Sequence, residues 1–210
     1  MYLDGLCFIT DCTYCDLPFY EMINNVLRAG VRWLQYREKS LPRRQIYENA
    51  LTLRQLTRTF GATLIINDHA DIALAVGADG VHLGQDDLPL KDVRKIMGDR
   101  IVGISTHDLA QAEAAESGGA DYIGYGPVFH TTTKDAGVPK GVDNVRKIKE
   151  NVSIPLVAIG GINPDNAASV MCAGADAVAV ATAISRGDVT ANAEKFVRLL
   201  NNYSLTRSGR

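Results

Sequence analysis

The 210-residue sequence has no apolar run long enough to span a bilayer, and its amino terminus lacks a basic segment followed by an apolar one. We therefore expect a cytoplasmic protein with no membrane partner. Positive charge is not in excess either: 22 Lys and Arg stand against 24 Asp and Glu, giving a formal net charge of -2 at pH 7. No whole-molecule field would draw this chain to nucleic acid, so an anionic ligand must meet a local site.

Cysteine is also scarce, with four residues spread unevenly over the chain at Cys7, Cys12, Cys15 and Cys172. This number and spacing exclude a disulfide framework and favour reduced thiols. Cys12 and Cys15 form one C-x-x-C motif, which could begin a metal or redox site. No second cysteine pair or suitably spaced histidine pair completes such a site.

The chain alternates short apolar runs rich in Val, Ile and Ala with longer segments of helical period, without a linker inside residues 1–204. This alternation is typical of βα units around a parallel sheet. Eight strands are predicted, at residues 6–11, 31–37, 63–68, 80–85, 101–106, 122–129, 155–160 and 177–181. At roughly 26 residues per unit, they favour a single α/β domain folded as a (β/α)8 TIM barrel. We expect residues 205–210 to form a polar, disordered tail.

A weak internal repeat supports this count, because a Gly-Ala-Asp sequence precedes three of the predicted strands, at residues 77–79, 119–121 and 174–176. Residues 29–31 are a fainter copy. The glycine fits the position after a helix end, where a positive φ costs little. The competing architecture is a doubly wound open sheet, but the turn after the first strand has no G-x-G-x-x-G sequence for a dinucleotide.

Reactive groups of such barrels lie on the loops that follow the strands. After strand two, the period of two places Gln35, Arg37 and Lys39 on one face, where an amide and two cations converge if that face points into the barrel. A solvated, charged strand end is the alternative interpretation. Ser105 ends strand five and offers a hydroxyl group, unless it is an ordinary cap or turn residue.

Two carboxylates follow neighbouring strands, since Asp68 ends strand three beside Asn67 and Asp87 lies just after strand four. Mg²⁺ commonly takes one or two carboxylates and completes its shell with water and phosphate oxygens. The pair therefore predicts Mg²⁺ as a cofactor that arrives with a diphosphate. The alternative is that Asp68 caps the next helix and that Asp86 or Asp87 caps the one beginning near Pro89.

The opposite loops carry groups suited to a second phosphate. The long loop after strand six contains Thr131, Thr132 and Thr133 followed by Lys134, which supply hydroxyls and an ammonium. Gly160-Gly161 follows strand seven and Ala181-Thr182 follows strand eight, at the loops where barrels commonly bind phosphate. The alternatives are that the threonines have no function beyond forming the loop and that the glycines only permit a tight turn.

These groups imply a diphosphate with Mg²⁺ on one side of the barrel mouth and a monophosphate on the other. His82 is expected to be a packed, hydrogen-bonded core residue, and His107 and His130 lack partners for a catalytic triad. No activated nucleophile or acid/base carboxylate pair is evident. Displacement of diphosphate from one substrate by another, driven by positioning and charge stabilisation, is the most economical chemistry.

Six ordered motifs resemble those of the thiamine phosphate synthase family over nearly the whole chain, from Phe8 to Ile184. They are Q-Y-R-E-K at 35–39, I-N-D at 66–68, A-D-G-V-H-L-G-Q-D-D at 78–87, G-I-S-T-H at 103–107, G-P-V-F-H-T-T-T-K at 126–134 and A-I-G-G-I at 158–162. The resemblance implies a transferase of thiamine biosynthesis. It would join 4-amino-2-methyl-5-(diphosphooxymethyl)pyrimidine to a thiazole phosphate, with diphosphate leaving before the thiazole nitrogen captures the carbocation.

The resemblance also implies roles by position. The residues similar to pyrimidine diphosphate contacts are Gln35, Arg37, Lys39, Asn67, Ser105 and Lys134, of which Lys39, Ser105 and Lys134 are expected to be catalytic. Those similar to Mg²⁺ ligands are Asp68 and Asp87. Those similar to the thiazole phosphate site are Thr131, Thr132, Thr133, Gly161, Ala181 and Thr182. Ala181-Thr182 departs from the Val-Ser that is frequent in the family, but threonine keeps the hydroxyl.

Two alternatives stay open at this point. A related thiazole tautomerase has a His where this chain has Pro127 and fewer diphosphate-binding groups. A non-catalytic barrel that binds a thiamine phosphate as a regulator is the other. The expected partners are the two small-molecule substrates, with a homodimer left open. The sequence does not show whether the thiazole carries an additional carboxylate.

Overall fold

The computed structural model describes residues 3–10, 15–131 and 137–208. Its strands are β1 (Gly5–Ile9), β2 (Trp33–Tyr36), β3 (Thr63–Asn67), β4 (Gly80–Leu83), β5 (Ile101–Thr106), β6 (Tyr122–Tyr125), β7 (Leu156–Ile159) and β8 (Ala177–Val180). Its helices are α1 (Phe19–Arg28), α2 (Arg43–Thr59), α3 (Ala70–Ala75), α4 (Leu90–Met97), α5 (Leu109–Ser117), α6 (Val142–Lys149), α7 (Ala167–Cys172), α8 (Thr182–Ser185) and α9 (Val189–Ser208).

The eight strands are all parallel and pair in chain order, and β8 pairs with β1 to close the barrel. The predicted (β/α)8 barrel is confirmed, with strands somewhat shorter than expected. β6, for example, ends at Tyr125 instead of residue 129, because Pro127 has no N–H to continue the ladder. α9 includes residues 205–208 of the segment that composition assigned to a tail. Within the described ranges, no helix combines the length and apolarity that crossing a membrane requires.

Each strand is buried on both sides, which explains its near-continuous apolar sequence. On β1, Leu6 and Phe8 face the surrounding helices, whereas Cys7 and Ile9 belong to a separate cluster inside the barrel. The interior cluster also contains Trp33 and Tyr122, whose rings meet edge to face with centroids 5.2 Å apart. The barrel is therefore a filled core with its open space at the carboxyl ends of the strands.

The Gly-Ala-Asp repeats form equivalent junctions at the opposite, amino-terminal end of the barrel. In each one the aspartate accepts a hydrogen bond from a backbone N–H of the preceding strand and forms an ion pair with a cation on the helix before that strand. The strand contacts are Asp79 with Leu64, Asp121 with Val102 and Asp176 with Leu156, at 2.7, 2.7 and 2.8 Å. The cations are Arg54, Arg94 and Lys149, at 2.7, 2.7 and 2.9 Å. The glycine before each aspartate has a positive φ, as predicted.

These junctions join strand, helix and strand into one unit, so their loss is expected to destabilise the barrel. Asp79 is the most enclosed, with two contacts from Arg54 at 2.7 and 3.1 Å and both side chains about one-seventh exposed. Asp79→Ala leaves the Arg54 charge and the Leu64 N–H unpaired and should lower the free energy of unfolding by about 2–4 kcal/mol. Asp79→Asn should lower it less, because the amide oxygen still accepts from Leu64.

Urea denaturation of the wild type, Asp79→Ala and Asp79→Asn measures this loss of stability. Asp143→Ala is the matched control, because Asp143 pairs with Arg146 at 3.0 Å but is 90% exposed. The control should leave the urea midpoint unchanged. Equal losses for Asp79→Ala and Asp143→Ala would contradict a structural role for the junction.

Candidate active site

A cavity of about 470 Å³ opens at the carboxyl ends of the strands, between the loops that follow β5, β6, β7 and β8. The predicted site residues in its wall are Arg37, Ser105, Thr131, Gly161, Ala181 and Thr182. The structure thus brings together residues that are up to 145 positions apart in the sequence, at the end of the barrel where they were predicted to meet. Thr132, Thr133 and Lys134 lie outside the described residues.

Below the mouth, a recess of about 110 Å³ extends into the barrel interior. Its polar wall contains two further predicted residues, Gln35 and Asn67, together with His82 and Tyr122. Arg37 and Ser105 line both spaces, as do apolar groups of β1, β7 and β8. The two spaces therefore adjoin, with the larger one at the mouth and the smaller one in the barrel interior.

The carboxylate pair lies above β3 and β4, where Asp68, Asp87 and Lys39 line a separate groove of about 570 Å³ and belong to neither of the two spaces described above. The edge of the barrel end that carries them is called the rim below. Asp68 follows β3 directly and donates its N–H to His82 O at 2.8 Å. Its φ is 65°, and among the described residues it is the single non-glycine residue with a positive φ. Aspartate tolerates this left-handed conformation better than most residues, and such backbone strain is concentrated at functional sites. The turn directs the Asp68 carboxylate toward Lys39 Nζ, which donates to it, and toward Asp87.

The two carboxylates share a hydrogen bond, and their titrations shift in opposite directions. Burial raises the pKa of Asp68, but hydrogen bonds from Lys39 and Asp87 outweigh it and hold the pKa below its ordinary value. For Asp87, burial raises the pKa and the Gly84 N–H, which donates at 2.6 Å, lowers it. The hydrogen bond and negative charge of Asp68 raise it again, so the pKa of Asp87 lies above its ordinary value.

The structure does not support the alternative that Asp68, Asp87 and Ser105 are helix-capping residues. The residue that caps α3 is His69, and the one that caps α4 is Pro89, neither with a side-chain cap. Asp108 caps α5 by accepting from Gln111 N at 2.8 Å, which leaves Ser105 free of that role. Asp68, Asp87 and Ser105 therefore have no helix-capping function that would explain their presence at the carboxyl ends of the strands.

The donor set of the pair fits a hard divalent cation. Two neighbouring carboxylates repel each other, and a cation bound to both would relieve this repulsion. In the part of the chain that the structure describes, no group of three or more His, Cys, Asp or Glu side chains could hold a metal ion. Mg²⁺ suits the smaller set, because it keeps water and substrate phosphate oxygens as its other ligands.

The wall across the mouth is built from tightly packed backbone. Gly160 and Gly161 have φ values of 97° and 65°, so the predicted glycine turn is confirmed, and both residues also line the cavity. A Cβ on Gly161 would overlap the carbonyl oxygen of His130 and the side chain of Phe129. Ala181 and Thr182 start the short helix α8 beside it. This is the part of a barrel in which backbone N–H groups and a short helix commonly receive phosphate.

Sequence reasoning did not assign a role to several residues of this pocket. Lys140 lines the mouth, where its N–H donates to Pro127 O at 2.7 Å. His107 also lines it, and its Nδ1 donates to Gly126 O at 2.8 Å. His82 is packed and hydrogen-bonded, as expected, but it lies in the recess. His82 lies near the end of β4 and His107 directly follows β5. These positions are the signal that could have assigned both histidines to the pocket.

The fold and the pocket define a (β/α)8-barrel enzyme whose site suits phosphorylated small molecules. The family described as thiamine monophosphate synthase matches residues 6–184. The thiamine-phosphate synthase of Chloroflexus aurantiacus is 51% identical over 182 residues, which are 86% of this chain and 84% of the relative. The same-named protein of Moorella thermoacetica is 49% identical over 85% of this chain and 86% of its own. The chain belongs to the thiamine monophosphate synthase family.

Solved structures agree with this membership. The thiamine phosphate pyrophosphorylase of Pyrococcus furiosus superposes with a TM-score of 0.88 at 42% identity, covering 94% of this chain and 96% of that one. A 3-hexulose-6-phosphate synthase superposes with a TM-score of 0.75 at 16% identity, over 93% and 99% of the two chains, which shows the shared fold alone.

The opposed pKa shifts of the two carboxylates lead to a prediction about stability without metal. Asp87→Asn copies the protonated carboxyl, because the amide oxygen accepts from Gly84 N and the amide nitrogen donates to Asp68. An acid whose pKa is raised by folding makes the native state less stable as pH rises through that pKa. In EDTA at pH 7, Asp87→Asn should therefore unfold at or above the wild-type midpoint, by no more than about 1 kcal/mol because solvent screens the pair.

Asp68→Asn should have the opposite effect. The pKa of Asp68 is lowered by folding, so its contribution is present above the unfolded pKa and is lost as pH falls. The variant removes the anion that Lys39 contacts and should lose up to about 1 kcal/mol at pH 7. Thermal unfolding of the wild type, Asp87→Asn and Asp68→Asn at pH 4 and pH 7 measures both changes in stability. Destabilisation of the two variants by the same amount would argue against the opposed titrations.

Proposed function

We propose that the protein condenses 4-amino-2-methyl-5-(diphosphooxymethyl)pyrimidine with 4-methyl-5-(2-phosphooxyethyl)thiazole, or its carboxylated form, to give thiamine phosphate and diphosphate. A transferase of thiamine biosynthesis follows from relatives that are about half identical over most of the chain. The same comparisons give no support to the thiazole tautomerase or regulatory alternatives.

One structural observation carries the proposal for this particular pocket. The sheet is a closed ring of eight strands in chain order, so β3 and β4 lie diametrically opposite β7 and β8. The carboxylate pair follows the first two strands, and the glycine and threonine loops follow the other two. Two separate anionic groups can therefore be held on opposite sides of one mouth, with the narrow recess between and below them. This arrangement matches two phosphorylated substrates that react with each other.

The diphosphate half of the site requires a cation, and Asp68 and Asp87 are the proposed Mg²⁺ ligands. A bound Mg²⁺ would neutralise charge on the departing diphosphate. The ammonium of Lys39 lies at the same carboxylate, and Arg37 lines the wall between the rim and the recess. Lys134 stays a predicted third cation of this half. These fixed charges favour separation of diphosphate more than they favour the intact substrate.

The recess holds the proposed pyrimidine ring. Gln35, Asn67 and Ser105 line it as hydrogen-bonding groups, and the apolar side chains of β1, β7 and β8 limit the access of water. The carbon–oxygen bond to diphosphate breaks first, and its electron pair leaves with the diphosphate. The electron-rich aminopyrimidine spreads the charge of the resulting carbocation. The thiazole nitrogen, held from above by its phosphate at Gly161 and Thr182, then forms the carbon–nitrogen bond.

A direct assay separates the candidate functions. The purified protein is incubated with both substrates and Mg²⁺, and thiamine phosphate and diphosphate are measured in equal amounts if the proposal holds. Conversion of a thiazole phosphate tautomer without condensation would indicate the tautomerase. Tight binding of thiamine phosphate without turnover would indicate the regulator.

The metal assignment predicts a loss of function at the rim. Asp68→Asn and Asp87→Asn should each lower Mg²⁺-dependent turnover at least about 100-fold, because a ligand is lost where charge develops in the transition state. Calorimetry should show wild-type protein binding diphosphate more tightly with Mg²⁺ than without, and this difference should vanish in both variants. Asp86→Asn, at the exposed neighbour of Asp87, is the control and should behave as wild type. Near-normal turnover of the double variant in Mg²⁺ would remove the metal assignment.

The phosphate loop can be tested by filling the space at Gly161. Gly161→Ala places a methyl group against His130 O and should raise KM for the thiazole phosphate about 10- to 100-fold, with a smaller effect on KM for the pyrimidine substrate. Gly61→Ala is a matched control, because Gly61 has nearly the same φ, 62°, but nothing within 4 Å of its Cβ. It should lose stability without a change in KM. Similar kinetics for the two variants would show that backbone strain alone is responsible.

A further inference from the structure

The cavity at the mouth is lined by a lysine that none of the sequence motifs contains. Lys140 shares this wall with Arg37, and among the described residues that line the cavity there is no Asp or Glu. Lys140 is half-buried, and no carboxylate in the described ranges forms an ion pair with it. A partly buried charge without a counter-ion is unfavourable, so an anionic ligand would stabilise this ammonium.

The backbone holds Lys140 close to the glycine turn after β7. Residues 127–129 lie between the two, and N–H groups of this segment donate to Ile159 O and Gly160 O at 2.9 and 3.0 Å. Carbonyl oxygens of the same segment accept from Lys140 N and Gly141 N at 2.7 and 2.9 Å. Neighbouring hydrogen-bonded segments lie about 4.8 Å apart, so the backbone of Lys140 is on the order of 10 Å from that of Gly160.

Lys140 and Arg37 lie on opposite sides of the mouth. Arg37 follows β2, which is diametrically opposite β6 in the closed ring of eight strands, and the Lys140 backbone is bonded to the segment after β6. A further cation, Lys39, lines the separate groove of the carboxylate pair. The cavity wall that contains Lys140 also contains Gly161 and Thr182. Lys140 is therefore the ammonium on the side where the thiazole phosphate is proposed to bind.

The other donors on that side are neutral. Gly161 offers a backbone N–H and Thr182 a hydroxyl, whereas a phosphate monoester carries a charge of about -1.5 to -2 at pH 7. Neutral donors bind a phosphate but leave most of its charge uncompensated, and the flexible four-carbon stem of a lysine carries a compact positive charge to such a group. The half-buried ammonium and the neutral phosphate loop thus each lack what the other provides.

We propose that Lys140 binds the phosphate of the thiazole substrate and makes the site selective for phosphorylated thiazoles. The inference rests on the proposed function for the identity of this substrate. The phosphate takes no part in the bond that breaks or the bond that forms, so the contact contributes equally to binding of the ground state and of the transition state. Its loss should raise KM for the thiazole phosphate and leave kcat nearly unchanged.

Steady-state kinetics test this role. Lys140→Met keeps the length of the side chain but removes the charge, and it should raise KM for the thiazole phosphate about 10-fold, with kcat and KM for the pyrimidine substrate within about twofold. Lys140→Arg keeps the charge and should stay within about threefold of the wild-type KM. Lys147→Met is the matched control, because Lys147 is exposed on α6, lies outside the cavity wall and changes the net charge equally. It should behave as wild type.

Salt supplies a readout that a purely structural role of Lys140 would not change. KM of the wild type for the thiazole phosphate should rise with added KCl, and it should rise less steeply in Lys140→Met. An unchanged KM in Lys140→Met would overturn the proposal. So would a fall in kcat together with a higher KM for the pyrimidine substrate, because Lys140 would then contact the diphosphate. A higher KM for the carboxylated thiazole phosphate alone would also overturn it, because Lys140 would then contact the carboxylate.

Binding without turnover separates this inference from the proposed function. Calorimetry compares 4-methyl-5-(2-phosphooxyethyl)thiazole with 4-methyl-5-(2-hydroxyethyl)thiazole in the wild type and in Lys140→Met. The wild type should bind the phosphorylated compound more tightly, and Lys140→Met should lose most of this preference. An equal loss of affinity for both compounds, or no preference in the wild type, would refute the phosphate contact. Failure of the wild type to form thiamine phosphate would instead refute the proposed function, and the calorimetry would still decide what Lys140 binds.

Discussion

The contact between Asp68 and Asp87 is the interaction on which the site depends, because two carboxylates at this distance repel each other unless the protein compensates the charge. Lys39 donates to Asp68 and the Gly84 N–H donates to Asp87, which offsets part of this repulsion. The backbone contributes as well, since the left-handed turn at Asp68 is held by its hydrogen bond to His82 O. The arrangement is unfavourable by itself, and a bound divalent cation would make it favourable.

The rest of the barrel supplies the rigidity that holds this pair in place. The Gly-Ala-Asp junctions lie at the amino-terminal end of the strands, where their ion pairs and backbone hydrogen bonds join each strand to the preceding helix and to the start of the next strand. The charged groups of the site lie at the other end. Stabilising and reactive charges are thus separated by the length of a strand, so loops at the mouth can be shaped for ligands without loss of these junctions.

The sequence predicted the strands and the rim of the site well, for a physical reason. Strands buried on both sides have continuous apolar runs, and in a barrel every group that follows a strand reaches the same mouth. Asp68 and Asp87 were therefore placed on neighbouring strand ends before any coordinates. The opposed shifts of their pKa values could not be predicted, because they depend on how the left-handed turn directs Asp68 toward Lys39 and Asp87. Lys140 was missed because a long loop brings it back to the mouth.

The polar contacts inside the barrel could not be predicted from the sequence either. His82, Ser105 and Tyr122 meet because of the register of β4, β5 and β6, in which His82 pairs with Gly103 and Gly103 with Tyr122. A periodic pattern identifies which residues face the interior, but only the register shows which of them touch. Polar groups inside a barrel are costly unless each one is satisfied, and the hydrogen bonds that satisfy them also hold the side chains rigidly. That rigidity makes the recess a preorganised site, because its donors and acceptors are oriented before a substrate enters.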